Sequence, residues 1–214
     1  GMHLTATSAR FSMDLFLEYG KGAFWHCDHG KLQMGIPDKK ATTLYYSYTN
    51  MPTTGTITLE GVTHTMQGKS WFDKQGGTYP ITHPKCMWEW FSLRFFDDEE
   101  MMLFSFPQDG YQDGTYINQS GERSRLNDYK ITPTGWTEAS GKKFSSGWKV
   151  DLKGIKDQEY TIEPKIDGQL NLFYFELLAD IKDKSGKVVG YCVVELLPGV
   201  YNKNNPFQAF ARVK

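Results

Sequence analysis

With 214 residues the chain has room for one large domain, or one domain and part of a second, and can bury a sizeable core. Its 24 Lys and Arg against 25 Asp and Glu leave no net field to attract nucleic acid or anionic lipid, so a polyanion partner is excluded. Aromatic residues at 15%, with 21 glycines and 9 prolines, point to many short strands and turns rather than a helical bundle.

Residues 1–50 are the least regular part of the sequence, with glycine turns around Gly20, Gly22, Gly30 and Gly35. His26-Cys27-Asp28-His29 offers three ligand types in four residues. A metal centre draws ligands at set spacings from more than one segment, and no second pair follows, so a polar turn before Gly30 is the expectation and no metal is assigned. A boundary is placed near Met51-Pro52, dividing 1–50 from 51–214. Residues 55–66 are Thr-rich and read as a tight hairpin turning at Glu60-Gly61.

Next comes Gly68-Lys69-Ser70-Trp71-Phe72-Asp73-Lys74-Gln75-Gly76-Gly77, where an acid is pressed against two aromatic rings. Residues 88–96 and 101–106 read as strands joined across Asp97-Asp98-Glu99-Glu100, an acidic run without the alternating ligands or the glycine of a calcium loop, hence a solvated turn. Alternation places Met87, Phe91, Leu93 and Phe95 on one face and Trp88, Trp90 and Phe96 on the other. Glu89 points away from both tryptophans, either as a polar group in a cavity or toward solvent. Residues 148–152 and 160–162 alternate cleanly, and 172–181 and 188–196 form a final hairpin turning at 183–186.

No helical periodicity extends over three turns, so the chain reads as all-β. Many consecutive antiparallel strands must hide their edges, and closure into a barrel does so. One apolar face could line a ligand cavity while other segments cover the opposite one; a β-sandwich core plus an interface is the alternative. Cys27, Cys86 and Cys192 are odd in number and widely spaced, which fits small buried hydrophobes rather than disulfides. No apolar run spans a membrane and no basic-then-apolar signal opens the chain. Gly1 ahead of Met2 has the look of a cloning remnant, so the compartment is periplasmic or secreted if a leader was removed and cytoplasmic otherwise. Neither a GxSxG elbow in an α/β setting nor a nucleotide-binding glycine loop is found, and no cofactor is expected.

Tyr45-Tyr46-Ser47-Tyr48-Thr49, then Gly61, the Gly68 to Gly76 segment and Trp88-Glu89-Trp90-Phe91-Ser92-Leu93 together resemble successive signatures of the AttH and carotenoid 1,2-hydratase family, which includes fungal kievitone hydratase. Trp136, Gly141, Phe144 and Trp148 match its spaced aromatic pattern, and 173–176 and 190–196 its closing strands, with Leu177 where the family more often has glycine. The resemblance implies lipocalin-like β-barrels, with 1–50 similar to the end of a first and 51–214 similar to a whole second. It places ligand near or between such domains.

Asp73 is the leading site residue. Hydrating an isolated alkene needs an acid to protonate carbon and a pocket that tolerates a carbocation, and a carboxyl desolvated by Trp71 and Phe72 would keep its proton. Ring faces of Tyr46, Trp71, Trp88 and Trp90 could support the cation, with Glu89 as a further polar contact and His64 as a proton partner. Asp73 could equally cap a turn or pair with a cation. Two functional readings therefore stand: a barrel binding a hydrophobic, isoprenoid- or lipid-like molecule, with transport as one use, and a hydratase-like enzyme using Asp73 as general acid on an isoprenoid or phenolic alkene. A structural domain whose aromatics only fill a core is a third.

Overall fold

The computed structural model describes residues 1–34, 41–78, 87–107, 110–139, 141–156, 158–171 and 174–197. Every regular element among them is a strand and the ladders are antiparallel, as the period-two patterning predicts. In chain order the first strands are β1 (Met2–Thr7), β2 (Phe11–Leu17), β3 (Phe24–Trp25), β4 (Lys31–Gln33), β5 (Thr42–Leu59) and β6 (Val62–Gly77). Two compact units are present: Gly1–Trp25 with Tyr45–Gln75, and His26–Leu44 with Gly76–Lys214. The boundary expected at 50/51 instead falls inside β5. Met51 is fully buried and the Pro52 carbonyl accepts the Glu18 N–H, so this dipeptide continues the structure instead of breaking it.

In the first unit β1 and β2 form a hairpin with Met2 opposite Leu17, and β2 lies on β5 with Phe11 opposite Leu59. β3 pairs with β5 at Phe24 and Ser47, and β6 also lies on β5. Tyr45, Ser47, Thr49, Met51 and Thr53 are buried at alternate positions of β5, the signature of a strand with one packed face. Glu60 and Gly61 turn β5 into β6 with φ of 49° and 80°; two successive left-handed residues make the turn whose twist suits a hairpin, confirming the predicted reversal.

In the second unit β4 lies on the first residues of β5, Lys31 opposite Leu44. Its remaining strands are β7 (Trp88–Phe95), β8 (Glu100–Phe106), β9 (Tyr111–Ile117), β10 (Arg123–Leu126), β11 (Tyr129–Pro133), β12 (Trp136–Ala139), β13 (Lys142–Ser145), β14 (Trp148–Leu152), β15 (Glu159–Pro164), β16 (Gln169–Asn171), β17 (Tyr174–Lys182) and β18 (Val188–Leu197). Spatial order is β10-β9-β8-β7-β18-β17-β15-β14-β11, with β16 on β17 and β12–β13 as a separate hairpin. The two ends of that path, β10 and β11, are neighbours in sequence, so the sheet wraps into a nearly closed barrel. The Gln112 side chain donates to the carbonyls of Asn127 and Tyr129, and the Tyr129 hydroxyl donates to those of Phe104 and Asp113, tying the gap.

Phe91, Leu93 and Phe95 of β7 point into the barrel and meet Cys192, Val194 and Leu196 of β18 and Trp148, Val150 and Leu152 of β14. Phe91 packs edge-on to Trp148 at 5.3 Å, and Phe144 stacks on Phe175 at 4.7 Å. Each such side chain contributes about 1.5–3 kcal/mol by leaving water. Trp88 and Trp90 are buried on the opposite face, as alternation requires, but Phe96 leaves the ladder and is 66% exposed. The acidic run is a turn, with Asp98 at φ 60°, yet it is not simply solvated: Glu100 is buried, and Asp97 and Glu99 both pair with Lys156. The first two residues expected in the closing hairpin, Leu172 and Phe173, lie outside the described residues, as do Gly35 and Cys86. Cys27 and Cys192 are buried free thiols.

Candidate functional sites

Three donors converge on Oδ1 of Asp73 in β6. The Tyr45 hydroxyl donates at 2.8 Å, the Trp71 indole N–H at 2.8 Å, and the Ser47 hydroxyl completes the set. Tyr45 and Ser47 are two residues apart on β5 and so share its packed face; Trp71 and Asp73 stand in the same relation on β6. The cluster lies wholly within the first unit. Tyr45 and Ser47 are buried, whereas Asp73 retains solvent contact. Asp73 is thus neither a bare acid walled by two rings nor a turn cap; it is a strand residue whose oxygen is aimed by hydroxyl and indole donors.

Tyr46 occupies the other face of β5. There it joins a row of rings: Trp25 at 5.0 Å and Tyr48 at 6.2 Å, with Tyr48 also meeting Tyr19 and Phe72. Of the residues singled out in the sequence, only Trp71 contacts Asp73 among those bonds. His64 is on the exposed half of β6, nine residues from Asp73, which is roughly 30 Å of strand. No proton passes directly between groups so separated.

Within the barrel the polar feature is Glu89. It is 4% exposed, on the face of Phe91, Leu93 and Phe95, so it is a buried polar group and not a solvent-facing one. The Ser145 hydroxyl donates to its Oε1 at 2.5 Å. Burial pushes the carboxyl above its ordinary range, and the Ser145 hydroxyl and the nearby Trp148 indole pull it partly back. The Trp148 N–H stops short of normal hydrogen-bond geometry and has no partner of that quality among the described residues. On the outer face Trp88 donates to Glu195 at 2.9 Å, and Trp90 lies opposite Glu195 in the ladder.

A sequence model described as AttH-like matches residues 1–199. The chain belongs to the AttH-like family. Its fold superposes on the crystal structure assigned to AttH from Nitrosomonas europaea with a TM-score of 0.78 and 18% identity, over 92% of this chain and 65% of that one. Kievitone hydratase from Nectria haematococca matches with a TM-score of 0.70 and 18% identity, over 93% of this chain and 65% of that one. This AttH-like chain therefore spans a little under two thirds of the length of either. A search of curated proteins finds no match.

The His26–His29 segment of this AttH-like chain forms the expected turn, closed by the Gly30 N–H donating to the His26 carbonyl, with Cys27 and His29 both at φ 51°. His26 is buried against Thr115 at 3.0 Å, and burial together with the Arg123 charge lowers its pKa to about 3, so it is a neutral hydrogen-bonding group. No group of three or more potential metal ligands gathers among the described residues, and no helix there is long and apolar enough to cross a membrane.

Sequence reasoning missed four AttH-like residues that matter here: Tyr45, Ser47, Ser145 and Trp148. The first two were legible in principle, because a pair at i and i+2 in a strand beside an acid shares one face. Ser145 and Trp148 were not, since their approach to Glu89 is set by barrel closure across 56 residues of sequence.

Proposed function

We propose that the chain binds a hydrophobic small molecule, isoprenoid- or lipid-like, inside its barrel. The supporting observation is a nearly closed antiparallel barrel whose inner wall is mainly aromatic and aliphatic, with the buried carboxyl of Glu89 and the hydroxyl of Ser145 set into it. An apolar wall with few polar groups is the ordinary composition of a small-molecule site. Native mass spectrometry of gently purified protein, with titration of the fluorescent apolar probe N-phenylnaphthylamine, tests this. Co-purified lipid-like mass or saturable probe binding is expected; an empty protein that ignores the probe refutes it.

A second reading is favoured by the convergence of Tyr45, Ser47 and Trp71 on Asp73, and by fold likeness to a protein called kievitone hydratase. On that reading the chain adds water across an alkene of an isoprenoid or phenolic substrate. Asp73 is the acid–base group, with the Tyr45 hydroxyl beside it as proton donor and acceptor. Turnover of candidate alkenes by wild type and by Asp73→Asn separates the two readings, and equal turnover removes Asp73 from the chemistry.

A further inference from the structure

The connections β7–β8, β14–β15 and β17–β18 gather at one end of the barrel. The end of β7 pairs with the start of β18, that start with the end of β17, the end of β17 with the start of β15, and that start with the end of β14. Among these turns lies a cavity of about 270 Å³. Small-molecule sites run from about 300 to about 1,000 Å³ and often sit in barrel mouths, so this one, near the lower edge, takes only a small ligand.

Its walls are apolar. Phe95 and Tyr160, with ring centroids 5.1 Å apart, stand on one side and Val188 and Val189 on the other. Phe96 leaves the ladder after β7, yet its N–H donates to the Val189 carbonyl at 2.9 Å, and its ring stands 66% exposed at the mouth. A ring left in water gains free energy when another flat apolar face covers it.

Two lysines share the lining, in different states. The Lys156 ammonium lies over the Phe95 ring at 4.6 Å and pairs with both Asp97 and Glu99, so its charge is already answered. Lys187, in the turn before β18, is exposed, and no carboxylate stands within ion-pair distance of its ammonium among the described residues; Asp183 acts on it only from farther away. A cationic ligand would have to draw Asp97 or Glu99 from Lys156 and lie beside two ammonium groups, an arrangement that like-charge repulsion opposes. A neutral ring gains the walls alone. An anion meets the open charge of Lys187 while its ring covers Phe96, and one open lysine answers one negative charge.

We infer that this cavity binds a small aromatic monoanion, its ring against Phe96 and the valine wall and its carboxylate or sulfonate at Lys187. The site lies at the rim of the barrel, and the inference stands without the reading given for the interior. The walls supply affinity for any flat ring, and Lys187 supplies the discrimination.

The test is titration with naphthoate, naphthylmethanol and naphthylmethylamine, which share a ring and differ in charge, followed by NMR shifts of the backbone amides. Naphthoate should bind saturably, shift the amides of Phe96, Val188 and Val189, and bind about threefold to fivefold tighter than the alcohol, the scale of an exposed ion pair. The amine should bind more weakly than the alcohol. Lys187→Gln, an exposed change in a turn, should bring naphthoate down to the affinity of the alcohol and leave the alcohol unchanged. Phe96→Ser should weaken all three. Equal affinities for the three on the wild type, a naphthoate preference that survives Lys187→Gln, or no saturable naphthoate binding overturns the inference. Shifts centred on Val194 and Leu196 in place of the rim also overturn it, and would instead support binding in the interior.

Discussion

Replacing Asp73 by Asn keeps the size and the Oδ1 acceptor but removes the charge that three donors share. A hydrogen bond to a charged group is worth about 1.5–3 kcal/mol and a neutral one about 0.5–1.5, so each of the three bonds weakens by about 1 kcal/mol. The sum, about 3 kcal/mol, is an upper bound, because Asp73 keeps solvent contact and water takes up part of the change; a loss of about 1–2 kcal/mol is expected. Tyr45→Phe removes one donor at 2.8 Å from a buried ring and should cost about 1 kcal/mol on its own. If both act on the same contact, the double variant loses less than the sum, by about 0.5–1 kcal/mol. Urea unfolding near neutral pH, followed by tryptophan fluorescence and circular dichroism together, gives the four stabilities and shows whether the two units unfold as one. An unchanged midpoint for Asp73→Asn, or strictly additive losses, would refute the claim that these donors hold a carboxylate.

Glu89 should make stability depend on pH in a definite direction. Burial raises its folded pKa above the ordinary 4.5, so the unfolded chain gives up this proton first, and its contribution to stability is complete below 4.5 and lost as pH rises through the folded value. Glu89→Gln is therefore expected to melt higher than wild type at neutral pH, with the gap closing below pH 4.5; a gap that stays constant with pH contradicts this. Gly190→Ala would put a Cβ 2.3 Å from the Arg94 carbonyl oxygen and 2.9 Å from Phe95 Cα, so β7 and β18 must part by about 1 Å at a cost of about 1–3 kcal/mol, readable as a lower melting temperature. Burial pushes the thiols of Cys27 and Cys192 up, beyond reach as thiolates. In a Cys86→Ser background a thiol reagent should label neither until the protein is denatured, and fast native labelling would show that one of them is accessible.

The all-β class, the Glu60-Gly61 reversal and the shared face of Phe91, Leu93 and Phe95 were legible because each depends on residues within a few positions of one another. Alternation also gave Glu89 its face. It did not say that this face was the interior, because the direction of curl belongs to the whole sheet. The Asp73 neighbourhood was read through adjacent letters, Trp71 and Phe72, although Phe72 points to the opposite side, toward Tyr48. Tyr46 lies between Tyr45 and Ser47, which make the contact to Asp73, and one step along a strand changes face entirely. His64 was grouped with Asp73 on sequence proximity, which an extended strand converts into distance. Met51-Pro52 reads as punctuation for a similar local reason, but a strand accepts proline where its missing N–H is not called on.

The pairing of β7 with β18 sets a timetable for synthesis on the ribosome. Phe95 must find Gly190, 95 residues further on, before these two walls meet, whereas β5 and β6 need only two residues to turn on each other. The long hairpin can form as soon as it emerges from the exit tunnel. The barrel waits for its last strand, and until then β7 and β8 present Trp90, Phe91, Phe104 and their neighbours without the β18 partner. Slowing translation ahead of Val188 should lengthen that exposure and lower the yield of folded protein.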